Sequence, residues 1–251
     1  MAEKEIKQDI EALPEEIGKI DILAEKKEQK EYTGEKVYLD SWVPKTKLGR
    51  SVKEGKEKDI DKIIKSGKKI LEPEIVESLI SLESELLMIG QAKGKFGGGK
   101  RRAWRQTQKK TQEGNIITFS TMAVVGDKNG HIGIGYGRAK ETLPAREKAI
   151  RNAKLNITKI ERGFESPESE EEKNNPHTVP FKVQGKCGSV KLTLLPAPRG
   201  TGLVIGDECK KILRLAGIKD VYSQTRGKTK TTFNMAKACM NALINTTKIN
   251  L

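Results

Sequence analysis

The residues in this 251-residue chain that could do chemistry are cations and glycines far more than nucleophiles. Gly200, Gly202 and Gly206 follow Pro196-Ala197-Pro198-Arg199 and lead into an apolar-periodic stretch that opens near Asp207. Glycines between a strand and a helix N-terminus leave backbone N–H groups free for a phosphate, and Arg199 and Thr201 add donors. An ATP site would also want a Lys-Ser/Thr pair or metal-binding carboxylates beside the loop. The pair is absent, and helix capping accounts for Asp207 and Glu208, so RNA phosphate is the expected ligand. Arg226, Lys228 and Lys230 alternate with hydroxyls ahead of the last helix, the residue types that contact phosphate. Residues 91–112 hold 8 Lys/Arg and no Asp or Glu, with Phe96 and Trp104 among them. Charge neutralisation combined with base stacking suits that mixture. A hydrophobic anchor on a protein neighbour suits Trp104 equally well. The expected RNA-binding set is Lys45, Lys47, Arg50, Lys93, Lys100, Arg101, Arg102, Trp104, Arg105, Arg138, Lys140, Lys186, Arg199, Thr201, Arg226, Lys228 and Lys230.

Catalysis has little to build on. His131 and His177 stand apart in sequence, neither beside a Ser or Cys in an activating arrangement. Cys187, Cys209 and Cys239 lack C-x-x-C spacing, so neither a zinc module nor a disulfide framework is expected, and a reducing cytosol suits them. Gly133-Ile134-Gly135-Tyr136-Gly137 resembles a dinucleotide fingerprint only superficially. Such a loop belongs at a strand-to-helix turn, whereas these glycines alternate inside a strand. They strip one sheet face of side chains, which lets a helix or a nucleic-acid backbone come close. No cofactor, no metal and no enzymatic activity are expected.

Charge is distributed to match. The net is +14, yet residues 1–40 carry 7 basic and 12 acidic side chains. Residues 138–162 carry 8 basic against 3 acidic, and residues 185–237 carry 11 against 3. Cations concentrated in particular stretches point to a polyanionic partner. The chain is 35% hydrophobic and 4% aromatic, too little for one deep core over its whole length. No run reaches the ~18–20 apolar residues of a membrane span, and no signal-peptide pattern opens the chain.

The elements that must hold these residues read as α+β, in two small domains. Residues 1–40 are a charged, flexible extension, and 41–90 a helical lead-in. Within the lead-in a helix starts at Pro73, with Ile75, Leu79, Leu82 and Leu86 on one face. Residues 91–115 show neither helical nor strand period and read as a basic Gly-rich loop ordered only on its partner. Residues 116–162 form the body of the first domain. They run as a strand at 116–125, an Asn-Gly hairpin turn, a strand at 131–136, and a helix at 142–157 burying Leu143, Ile150, Ala153 and Ile157. An acidic linker covers 163–178. The second domain, 179–251, has strands through Val179–Val183 and Val190–Leu194 joined across 185–188. A helix follows from N-cap Asp207 to Gly217, then a strand at 219–224 and a helix at 233–244.

Residues 124–141 (VVGDKNGHIGIGYGRAKE) resemble the hallmark stretch of the universal small-subunit ribosomal protein family numbered five in bacteria. Trp42–Gly49, Pro176–Val183 and Pro196–Leu203 are similar to its archaeal and eukaryotic branch. The resemblance implies a double-stranded-RNA-binding-like first domain and a C-terminal domain of the fold that this family shares with small-molecule kinases. It implies a structural place in the small subunit, bound to 16S-type rRNA near where the messenger enters, supporting accuracy. The implied partners are that rRNA, mRNA near the entrance channel, and ribosomal proteins of families three, four and eight, in cytoplasmic ribosomes and away from membranes. Two departures stand out. Gly163–Asn175 has five glutamates where relatives often carry a cysteine cluster, and residues 111–117 (TQEGNII) lack the arginines of the corresponding loop. The alternatives are a small-molecule kinase, which needs metal-binding acids, and a free-standing duplex-RNA regulator.

Overall fold

The computed structural model describes residues 42–92, 101–165 and 176–248. The extension over 1–40, Lys93, Phe96, Lys100 and most of the acidic linker lie outside those residues. The chain divides into Met1–Lys45 and Thr46–Leu251. Of the first unit, residues 42–45 have no regular structure. Every element below belongs to the second.

Three short helices lead in: α1 (Lys47–Lys53), α2 (Ile60–Lys65) and α3 (Pro73–Leu79). Thr46 caps α1 by accepting the Gly49 amide at 3.0 Å. Pro73 occupies the first turn of α3 as expected, but the helix stops at Leu79. Glu83–Leu86 is strand β1, paired antiparallel with residues 123–126. The Ile75-to-Leu86 spacing fits a helix, but a sheet edge that offers a full ladder of backbone partners overrides so weak a local preference.

β2 (Trp104–Thr111) and β3 (Gly114–Gly126) form a hairpin, so the loop expected over 91–115 is a strand from Trp104 onward. Its side chains show no alternation because both faces of the outer hairpin are exposed, while backbone pairing supplies the order. Thr107 and Thr118 add a cross-strand hydroxyl pair at 2.8 Å. β4 (His131–Ala139) returns from the turn over 127–130, α4 (Thr142–Leu155) follows, and β5 (Ile157–Lys159) closes the sheet in the order β1-β3-β4-β5, with β2 also on β3.

The α4 face also differs from expectation. Ala145, Ala149 and Ala153 are buried, Leu143 is 62% exposed, and Ile157 belongs to β5. Gly133, Gly135 and Gly137 explain the choice. A Cβ on each would stand 2.1–2.2 Å from the carbonyl oxygens of Ala153, Ala149 and Ala145. Helix backbone thus lies directly on strand backbone, and only small residues fit between. The approach that the sequence left open between helix and nucleic acid is made by a helix.

The second sheet holds β6 (Val183–Cys187), β7 (Val190–Leu195), β8 (Leu203–Val204) and β9 (Val221–Arg226) in the order β6-β7-β9-β8, with β8 parallel to β9. Gly185 therefore lies inside β6, and the turn is at Gly188-Ser189. A Cβ at Gly185 would stand 2.1 Å from the Ala238 carbonyl, so a helix again fixes the glycine. Helices α5 (Asp207–Leu215) and α6 (Thr232–Thr247) pack between the sheets. Gly206 rather than Asp207 is the N-cap of α5.

Met122, Val124 and Ile132 of the first sheet share one continuous core with Leu213 and Leu215 of α5, Leu243 of α6 and Leu192 and Leu194 of the second sheet. Tyr136 meets Phe233 edge-on at 5.6 Å across that layer. The order of layers is α4, first sheet, α5 with α6, second sheet. The outer face of the second sheet has no helix against it among the described residues.

Candidate nucleic-acid interface

The N-terminus of α6 is built without an acid. Gly227 takes φ +90°, where a Cβ would stand 2.0 Å from the Ser189 carbonyl. That glycine lets the chain turn tightly, with Thr231 N–H donating to Lys228 O at 3.1 Å. Thr231 is the N-cap but makes no side-chain cap bond, and the first turn carries no Asp or Glu. The positive end of a sixteen-residue helix is therefore open.

The start of β2 is brought to the same place. The Gly90 amide donates to the Arg102 carbonyl at 2.8 Å, and Ala92 bridges to Arg101. A Cβ at Gly90 would stand 2.1 Å from the Trp104 carbonyl, so only glycine lets these segments meet. Arg101, Arg105, Lys230, Thr231, Thr232 and Phe233 then line one cavity of about 420 Å³, with no carboxylate in its wall among the described residues. Two cation sets that are more than a hundred positions apart in sequence thus face one volume at a helix N-terminus. The arrangement offers guanidinium, ammonium, hydroxyl and amide donors together, which suits a phosphodiester backbone.

The outer face of the second sheet carries a second group. Lys186, Lys191 and Arg226 are directly opposite one another across β6, β7 and β9, and all are exposed. Like charges in register destabilise a sheet unless an anion neutralises them. Sequence reading passed over Lys191, although its place between the inward Val190 and Leu192 assigns it to the outer face.

Other expected residues play different parts. Trp104 is half-buried, and the Arg146 guanidinium stands 5.3 Å from its ring centroid, so the tryptophan serves as a platform for a cation of its own chain. Arg138 donates to Thr118 Oγ1 at 3.0 Å. Lys47, Arg50, Arg102, Lys140 and Lys228 are exposed and do not line the 420 Å³ cavity. Lys45 is exposed in the first unit.

The Gly200–Gly206 loop is not the open phosphate cradle that its glycines suggest. Pro198–Thr201 is a turn closed by Thr201 N–H on Pro198 O, with Gly200 at φ +85° and Arg199 exposed at its corner. The Gly202 amide donates to Asp220 Oδ1 at 2.8 Å, and Asp220 Oδ2 pairs with His177 Nδ1 at 3.0 Å. An amide expected to face phosphate is already held by a carboxylate. Asp207 and Glu208 occupy the first turn of α5, where they repel anions. Glu208, expected as a cap, instead accepts the Met88 amide at 2.7 Å and so ties α5 to the segment after β1.

Comparison with known proteins agrees with this organisation. Residues 103–161 match the family "Ribosomal protein S5, N-terminal domain", and residues 185–250 match "Ribosomal protein S5, C-terminal domain". The chain is 50% identical over 208 residues to small ribosomal subunit protein uS5 of Nanoarchaeum equitans, covering 82% of this chain and 88% of that one. It is 47% identical over 211 residues to uS5 of Pyrobaculum islandicum (84% and 96%) and 43% over 224 residues to uS5 of Methanococcus maripaludis (89% and 90%). With two domain matches, archaeal relatives this similar over most of both chains, and cationic surfaces to suit, the chain belongs to the uS5 family of structural, non-enzymatic small ribosomal subunit proteins.

Proposed function

We propose that this chain binds 16S-type rRNA as a structural part of the small subunit, through the cavity at the α6 N-terminus and the Lys186–Lys191–Arg226 row. The observation that carries the reading is the convergence of Arg101, Arg105 and Lys230 on an acid-free helix N-terminus. The first sheet with α4 acts in this reading as the double-stranded-RNA-binding-like module. Kinship with uS5 supports the finer placement: cytoplasmic ribosomes, the region where the messenger enters, neighbours of families three, four and eight, and a contribution to accuracy.

Binding to small-subunit rRNA should be steeply salt-dependent, because each neutralised phosphate adds about 0.7–0.9 to the log–log slope. A slope on the order of 5 is expected for the wild type if several clusters are engaged. The triple variant Arg101→Gln, Arg105→Gln, Lys230→Gln should lower it by about 2–3 and weaken co-sedimentation with small subunits. An unchanged slope would remove the α6 N-terminus from the interface.

A further inference from the structure

A second cationic cleft lies beside the β3–β4 turn, formed by residues outside the expected RNA-binding set. It encloses about 650 Å³, and Lys128, Asn129, Arg162, Lys210, Arg214 and Lys219 contribute to its wall, which contains no Asp or Glu among the described residues. Its frame is rigid. The Lys128 amide donates to the Leu215 carbonyl at 2.9 Å and joins the β3–β4 turn to the C-terminal end of α5. Arg162 Nη1 donates to the Lys128 carbonyl at 3.1 Å. Gly217, at φ +83°, lets these groups close together, since a Cβ there would stand 2.0 Å from that same carbonyl.

The cations outnumber what is present to balance them. Lys128 pairs with Glu83, and Lys210 stands 3.4 Å from the well-exposed Asp207. Arg162, Arg214 and Lys219 have no carboxylate partner among the described residues. The carbonyl end of α5 supplies only about half a negative charge. Three cations around one concavity therefore have no neutralising partner among the described residues, and two are guanidinium forks that match the paired oxygens of a phosphodiester. From Ser120, opposite Arg105, to Gly126, where β3 ends beside the cleft, the strand covers about 20 Å at its rise per residue. That exceeds the ~8–10 Å screening length of physiological salt, so the two sites act as separate sites.

We propose that this cleft is a second rRNA phosphodiester site, so that the protein holds two separated segments of rRNA backbone, one at the α6 N-terminus and one beside the β3–β4 turn. The inference rests on the rRNA-binding reading above. The experiment uses the full chain and small-subunit rRNA, with the binding slope measured against salt. Arg214→Gln with Lys219→Gln, both exposed side chains, should lower the slope by about 1.5, and adding Arg162→Gln should lower it further. The loss should add to that of the α6-terminal triple variant. The charge-matched control Lys58→Gln with Lys69→Gln, exposed cations of the lead-in, should keep the wild-type slope. Equal slopes for the cleft double variant and wild type would overturn the proposal, as would an equal loss in the control, which would mark a mere net-charge effect. A cleft variant that binds rRNA normally yet drops out of assembled subunits would assign the cleft to an acidic protein neighbour instead. A wild type with a slope near 1 would overturn the rRNA reading itself. Because the double variant leaves the Arg162–Lys128 bond intact, folding failure of the triple variant does not remove the test.

Discussion

His131 shows how much a residue's role depends on partners that are distant in sequence. Its Nδ1 is 2.6 Å from Asp127 Oδ2, its Nε2 is 2.8 Å from Asp61 Oδ1, and Lys159 completes the cluster on Asp61. Both ring nitrogens can donate only in the imidazolium form. The Asp127 bond is the main cause that lifts the histidine pKa above 6.5; burial opposes it, and Asp61 adds to the rise. Burial pushes Asp61 and Asp127 upward, but hydrogen bonds bring both below 3.8: Lys159 and His131 act on Asp61, His131 and the Asn129 and His131 amides on Asp127. The signs then follow. The histidine's contribution is complete below its unfolded pKa of 6.5 and is lost as pH rises through the higher folded value. The aspartates contribute fully above 3.8 and lose their effect as pH falls through their lower folded values. Stability from this cluster should peak between about pH 4 and 6.5. The thermal midpoint of the wild type should therefore decline above pH 6.5 relative to His131→Gln. Parallel midpoint curves for the two proteins would rule out a charged His131 as the bridge between α2 and the first sheet.

Among elements, the α4 layer is the sharpest case of backbone deciding side chain. The period of residues 142–157 suggests one face through Leu143, Ile150, Ala153 and Ile157; the face that is buried keeps Ala153 but runs through Ala145 and Ala149. Gly133, Gly135 and Gly137 decide for the alanines, because their missing Cβ atoms are what the helix backbone rests on. Both halves of that contact were visible in sequence; the pairing between them was not, since it is made in space. Gly135→Ala would place a Cβ 2.1 Å from the Ala149 carbonyl and 2.2 Å from the Ala153 amide. Neither atom can rotate away, so α4 must lift, at a cost of roughly 1–3 kcal/mol or more. Gly206→Ala, with nothing within 4 Å of its Cβ, should change the denaturation midpoint little. Similar losses in both would mean that α4 adapts freely. The β2–β3 hairpin teaches the opposite lesson: its outer part has no buried face, so hydrophobic period carries no signal, and backbone pairing alone makes it a strand. Amides of β2 that pair with β3 should accordingly exchange slowly in the free protein, and exchange at the rate of an unstructured peptide would restore the loop reading.

At the scale of the whole molecule, two sheets share what composition alone would assign to two separate cores. Most strands and both inner helices were legible from period and turn residues, because period reports which face of an element is buried. It does not report against what, and the joint between the sheets consists of such contacts. Gly126 closes on Leu215, where a Cβ would stand 2.5 Å from the carbonyl oxygen, Tyr136 meets Phe233, and Lys211 Nζ donates to Leu86 O at 2.9 Å. The same limit applied to the interface. Clusters of cations were evident in sequence, yet which of them face one cavity depended on the α6 terminus meeting the start of β2. A shared core also has a measurable thermodynamic consequence. If each sheet carried its own core, truncating a side chain in one would lower that sheet's transition and leave the other in place. Ile132 and Leu194 are both fully buried, on different sheets, in one continuous cluster. Ile132→Ala and Leu194→Ala should each cost roughly 2–5 kcal/mol. Because the layers unfold together, both should shift one and the same transition, with calorimetric and van't Hoff enthalpies equal within error. A second transition that stays at the wild-type temperature in either variant would show that the sheets unfold as independent units.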